Sequence, residues 1–196
     1  MFRDATYADL TRTGDAADDR VDLVMDEETF RGFYERTARA LWAYLVRVTG
    51  DRTLADDLLQ ETFYRFLRAS ATHQSEAHRR NSLYCIATNL ARDARRRRAV
   101  RGPQATTPEA IESIPAPGGA AGAERQADLA RAMSALQPRE RAMLWLAYAE
   151  GASHREIAGV LGLSPASLRP LLFRVRKKLA ALLTGQTSAR PAGETQ

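Results

Sequence analysis

The chain has 196 residues, a formal net charge of +5 and a sequence pI of about 9.8. That size allows one ordinary domain or two small ones, and the charge suits a polyanionic partner. The single cysteine, Cys85, excludes an intramolecular disulfide and fits a reducing compartment. No apolar run approaches the roughly 18–20 residues of a membrane span, and the opening MFRDATYADL lacks the basic-then-apolar order of a secretory signal. The expectation is a cytoplasmic protein without membrane insertion.

Residues 1–27 are acidic and without periodicity, which predicts a disordered segment. From Glu28 the pattern turns helical: Phe30, Phe33, Tyr34, Leu41, Leu45 and Val48 recur at three- and four-residue steps and stop at Gly50. A second helix is predicted from about Thr53, with Leu54, Leu58, Leu59, Phe63, Phe66 and Leu67 inward. The stretch ASATHQSEAHRRNS, residues 69–82, has no apolar period and reads as a polar loop. A third helix is predicted from about Leu83, with Ile86, Ala87 and Leu90 inward, and it runs out into RDARRRRAVR at 92–101.

Residues 102–123 are rich in Pro, Gly and Ala and poor in large apolar side chains, the composition of a flexible linker. Helical periodicity resumes over 124–184, beginning with Leu129, Met133 and Leu136. PRERAMLWLAYAEG opens with Pro138 at a helix start and closes on Gly151. Ser153 and Glu156 in SHRE have capping-box spacing. Residues 185–196 read as a disordered tail. No strand alternation is present, so the expected fold is all-α: two small helical domains, 28–101 and 124–184, on a flexible tether.

The second of these domains has the parts of a helix-turn-helix. SHREIAGVL supplies a short first helix with Ile157, Ala158 and Leu161 inward, and Gly162 can adopt the left-handed backbone that ends it. Ser164 is a cap, and Pro165 fits the first helical position, where its missing N–H has no partner to lose. Leu168, Leu172, Val175 and Leu179 continue inward, leaving Arg169, Phe173, Arg174, Arg176, Lys177 and Lys178 on other faces. A cationic second helix after a capped turn points to DNA. Enzymatic chemistry finds little support. His73, His78 and His154 are not arranged as a metal site, and no glycine loop to cradle phosphate precedes a helix, so neither metal nor cofactor is expected.

The order of these motifs resembles the extracytoplasmic-function (group 4) RNA polymerase sigma factors. ADDLLQETFYRF resembles their region 2.2, LYCIATNLARDARRRR their region 2.4, and EGASHREIAGVLGLSPASLRPLLFRVRKKL their region 4.2, over about residues 29–184. The resemblance implies an alternative sigma factor that binds core RNA polymerase through the β′ clamp helices and directs initiation at promoter DNA. By position it assigns Asp56, Asp57, Gln60 and Glu61 to the polymerase contact, with Phe63 packed beneath them. It assigns Asn89, Arg92, Arg95, Arg96, Arg97 and Arg98 to the −10 element, with the loop at 69–82 forming a pocket for an extruded base. Arg169, Phe173, Arg174, Arg176 and Lys177 fall to the −35 element. An anti-sigma factor is a further partner that the resemblance implies.

Three positions depart from the family pattern. Ser82 stands where a tryptophan is common, which removes a packing anchor and predicts a looser loop; Cys85 stands where a basic residue is frequent and reads as a packing residue. Pro170, followed by Leu171, sits six positions after the Ser164 cap. An interior proline removes a helical hydrogen bond and costs about 3 kcal/mol or kinks the helix. Either the helix kinks between 166 and 170 or it restarts at Pro170; the unbroken register of Leu168, Leu172 and Val175 favours the kink. Two other functions remain open at this level: a sigma-like mimic that sequesters an anti-sigma factor, and an ordinary helix-turn-helix regulator.

Overall fold

The computed structural model describes residues 26–69, 75–101 and 119–188. The expectations for 1–25, for the loop residues 70–74, for 102–118 of the linker and for 189–196 of the tail lie outside the described residues. Those described form seven helices and no strand: α1 (Glu27–Thr49), α2 (Arg52–Arg68), α3 (Glu76–Arg101), α4 (Gly119–Ser134), α5 (Pro138–Tyr148), α6 (His154–Leu161) and α7 (Pro165–Ser188).

Local chemistry sets most of the ends. Asp26 caps α1 by accepting from the Thr29 N–H at 2.7 Å, and Glu27 and Glu28 oppose the dipole of the first turn. Gly50, at φ 74°, closes α1 in the left-handed region and donates to the Val46 carbonyl. Asp51 then caps α2 through the Leu54 N–H at 3.0 Å, so a single glycine and a single aspartate make the whole α1–α2 corner.

Helices α1, α2 and α3 enclose one core, where Phe33, Leu41, Leu45, Ala55 and Leu83 are fully buried. Its aromatics interlock: Phe33 stacks on Phe66 at 5.4 Å, and Tyr44 meets Tyr84 edge-on at 5.1 Å. Two hydroxyls inside this core satisfy each other. The Thr88 hydroxyl donates its one hydrogen to the Tyr84 carbonyl at 2.7 Å, so the Tyr44 hydroxyl, 2.7 Å away, must be the donor to Thr88. Burial, the largest influence, pushes ionisation of Tyr44 well above its ordinary range, and the pair acts as a neutral hydrogen-bonded clamp between α1 and α3.

Three boundaries differ from the sequence-based expectation. The polar loop of 69–82 is cut short, because α3 begins at Glu76. The Ser75 hydroxyl accepts from the His78 N–H at 3.1 Å, and Arg36 of α1 holds Glu76 at 3.1 Å. Arg79 and Ser82 are buried within this added turn, so the segment is helical through polar contacts that leave no apolar period to read. Accordingly Ser82 is a buried helical residue rather than part of a loosened loop. Helix α4 starts at Gly119 inside the predicted linker, where alanine-rich sequence carries high helix propensity. Helix α7 extends to Ser188, into the predicted tail. Leu67, expected inward, is 51% exposed.

Helices α4 to α7 enclose a second set of buried side chains, among them Met133, Leu146, Ile157, Leu161, Leu168 and Leu172. The capped first helix and the glycine turn of a helix-turn-helix are both present. Ser153 and Glu156 form the reciprocal capping box at 2.7 and 3.3 Å, and Gly162 is left-handed at φ 62°. Helix α7 runs unbroken through Pro170, and a restart there is not what the chain does. Leu168, Leu172 and Val175 on its inner face are buried on both sides of the proline, and their packing offsets the hydrogen bond that Pro170 cannot make.

The two helical units do not stand apart. Helix α1 packs on α5 and α3 packs on α6, and the buried apolar residues of both units form one continuous cluster. Arg47 of α1 lies over the Trp145 ring of α5 at 5.9 Å, and Asn81 of α3 donates to Glu156 of α6 at 2.7 Å.

Candidate nucleic-acid interface

Helix α2 presents Asp56, Asp57 and Gln60 to solvent, with Glu61 half-buried beside them. The helical period separates this polar face from Leu58, Thr62, Phe63 and Phe66, which are buried beneath. The four residues are not equivalent. Asp56 accepts from the Trp42 indole at 2.7 Å, and Glu61 pairs with Arg65 at 2.6 Å. Asp57 and Gln60 are exposed.

Helix α3 carries the arginine cluster. Asn89, Arg92 and Arg95 to Arg98 are all exposed, while Leu90, Ala91 and Ala94 face inward. Asn89 accepts from Arg92 at 3.3 Å and lies 3.9 Å from the Cys85 sulfur. Burial pushes the Cys85 thiol pKa up, so this side chain packs as a neutral group. Arg92 has a second partner: its guanidinium donates at 3.5 Å to the carbonyl of Leu161, the last residue of α6. Arg98 reaches back to Asp51 at 3.5 Å. The cluster thus divides into Arg95, Arg96 and Arg97, which project outward, and Arg92 and Arg98, which also brace the fold.

Helix α7 buries one face and exposes the other. Leu168, Leu172 and Val175 are buried, whereas Arg169, Phe173, Arg174, Arg176 and Lys177 are all exposed. Phe173 is 66% exposed, a large aromatic set among cations. Lys178, on the flank, is held by Glu140 of α5 at 2.7 Å. Partial burial would raise the pKa of Glu140, but its hydrogen bonds from Lys178 and the Gln137 N–H hold it below the ordinary carboxylate range.

Three interfacial features had no counterpart in the sequence reading: Asn81 on Glu156, Arg92 on Leu161, and the Arg47–Trp145 stack. Trp145 also donates to Glu150 at 3.1 Å, and Tyr84 of α3 lies beside both. Their only sequence signal was a tryptophan off the main apolar stripe and a run of polar residues at 78–82.

The family model "Sigma-70 region 2" matches residues 33–101 and "Sigma-70, region 4" matches residues 126–179. Three curated relatives agree. The ECF RNA polymerase sigma factor SigE of Mycolicibacterium smegmatis is 31% identical, over 91% of this chain and 69% of its own length. RNA polymerase sigma factor CarQ of Myxococcus xanthus is 30% identical, over 80% of this chain and 90% of its own. SigL of Mycobacterium tuberculosis is 31% identical, over 78% and 88%. The chain belongs to the extracytoplasmic-function sigma factors.

As such, the sigma factor binds core RNA polymerase and directs promoter-specific transcription initiation; its family consists of initiation factors rather than catalysts. The simple repressor and the sequestering mimic are thereby set aside. Region 2 coincides with α1–α3 and region 4 with most of α4–α7. Solved structures share the fold. RpoE of Bartonella quintana, in complex with the anti-sigma factor NepR, superposes with a TM-score of 0.64 at 22% identity, covering 80% of this chain and 98% of RpoE. CnrH, in complex with the cytosolic domain of CnrY, gives 0.59 at 26% identity, covering 82% and 91%. Among the described residues, no helix of the sigma factor is long and apolar enough to cross a membrane.

Proposed function

We propose that the sigma factor distributes its work over three surfaces. Asp57 and Gln60, with Asp56 and Glu61 at the edge, contact core polymerase. Asn89, Arg92 and Arg95 to Arg98 engage the −10 element, and Arg169, Phe173, Arg174, Arg176 and Lys177 read the −35 element. The observation that carries this reading is the one-sided surface of α7. Five exposed side chains, four of them cationic, stand opposite an apolar inner face, on a helix that follows the left-handed turn at Gly162. The protein acts without catalysis of its own and in the cytoplasm, where core polymerase and promoter meet.

An anti-sigma factor is the expected regulator. The solved relatives RpoE and CnrH are each held by a second protein, which supports a partner of that class here. Run-off transcription with core polymerase, from a promoter recovered by binding to this protein, tests the whole assignment. Initiation should depend on the added chain and drop when Arg169 and Arg174 are replaced by alanine. Unchanged initiation with that double variant would remove α7 from the −35 contact.

A further inference from the structure

The established role requires α7 to meet DNA, but it does not say what Pro170 and Phe173 recognise. Both are exposed, one helical turn apart, on the face that also carries Arg169, Arg174 and Lys177. Pro170 has no N–H and no polar side-chain atom, and Phe173 has no polar side-chain atom either. Neither can hydrogen-bond a base edge. An exposed apolar pair within a cationic face has one apolar group of any size to meet in a major groove, the C5-methyl of thymine; beyond it the base edges present hydrogen-bond donors, acceptors and the small C5–H of cytosine.

Resting on the reading of α7 as the −35 helix, we infer that Pro170 and Phe173 read thymine methyl groups, so that the −35 preference of this sigma factor is set partly by apolar contact. The geometry constrains where. Three residues of helix rise about 4.5 Å, and stacked base pairs rise about 3.4 Å. The two side chains therefore face the same step or neighbouring steps, and the methyls they read lie within about two base pairs. The surrounding cations hold the backbone phosphates and bring the apolar pair to the groove floor. The Arg174 Nε donates to the Pro170 carbonyl at 3.4 Å, which holds this cation beside the apolar pair.

The test uses holoenzyme assembled from the full chain and core polymerase. A random duplex library is first selected for binding, which gives the −35 sequence. Duplexes of that sequence are then made with thymine or deoxyuridine at each −35 position, the two bases differing only by the methyl. Binding should weaken by about three- to fourfold at one or two positions no more than two base pairs apart, the scale of one buried apolar carbon. Phe173→Ala and Pro170→Ser should each abolish the thymine–deoxyuridine difference at one of those positions while leaving Arg-dependent preferences in place. Serine restores a helical N–H and Phe173 packs on no core, so both variants should keep wild-type helicity by circular dichroism. A −35 motif bound equally well with deoxyuridine, or one without thymine, overturns the methyl reading alone. Holoenzyme that binds with no −35 preference overturns the assignment of α7 itself.

Discussion

At the scale of single residues, the acidic face of α2 separates into side chains with different duties. Asp56 anchors the Trp42 indole, so replacing it disturbs α1 packing as well as any partner contact. Asp57 is exposed and is the cleaner probe. Asp57→Lys should weaken core polymerase binding by about tenfold, roughly 1.4 kcal/mol, with unchanged helicity. Asp56→Asn keeps an acceptor for Trp42 and should give a smaller loss. Fluorescence titration of labelled protein with core enzyme measures both, and wild-type affinity in Asp57→Lys would take this face out of the polymerase contact. The residue types at 56–61 were legible from the sequence as an acidic helix face. Their inequality was not, because Trp42 lies 14 positions away and only the α1–α2 packing brings it to Asp56.

The single elements show what periodicity could and could not deliver. Helix α7 was legible across its proline, because its apolar stripe keeps one register from Leu168 to Val175, but its last turn to Ser188 was not. Leu168 is fully buried, and Leu168→Ala should cost about 2–5 kcal/mol, read as a lowered midpoint in urea. Helix α3 was legible only from Leu83, since its first turns are held by Ser75, Arg36 and Glu156 rather than by an apolar stripe. At its other end, Arg96 and Arg97 project outward from the fold. Replacing both with alanine should reduce the slope of log binding constant against log salt by about 1.8 on duplex DNA, at about 0.9 per phosphate contact. An unaltered slope would show that these two arginines touch no phosphate.

Helix α6 yields a pH prediction. Hydrogen bonds from Asn81 and Ser153 hold the Glu156 pKa below its ordinary value of 4.5. A carboxyl depressed in the folded state contributes stability above its unfolded pKa, and that contribution is lost as pH falls through the lower folded value. The thermal midpoint should therefore decline more steeply below pH 4.5 in the wild type than in Glu156→Gln, which retains the capping-box geometry. Parallel curves for the two proteins between pH 3 and 5 would mean that Glu156 adds nothing to folding.

For the whole molecule, the decisive fact is that α3, which carries the proposed −10 surface, packs against α6, beside the helix proposed for the −35 element. Arg92, from the arginine cluster, donates to the end of α6, immediately before the turn that leads into α7. Promoter elements centred about 25 base pairs apart are separated by about 85 Å of B-form duplex. On the proposed assignment the packed arrangement does not serve both at once, and the two units are expected to part on the promoter. Energy transfer between dyes on Glu35→Cys and Ala180→Cys, both exposed positions, should be high in the free protein and fall in the holoenzyme–promoter complex. Asn81→Ala should lower it in the free protein as well. Equal transfer in all three states would show that the closed packing persists on DNA.

The amino-acid sequence alone determined the seven-helix character of the described chain, the capped turns at Ser153 and Gly162, and the division of charge between α2, α3 and α7. These features are local: a cap, a left-handed glycine or an apolar stripe needs only neighbours within one or two turns. Tertiary structure decided the rest, namely which arginines are spent on the fold, why 76–82 is helical, and that regions 2 and 4 lie against each other. Each depends on partners 40 to 75 residues apart, such as Arg36 with Glu76 and Asn81 with Glu156. Polar contacts of that separation leave no period along the chain, and only packing brings them together.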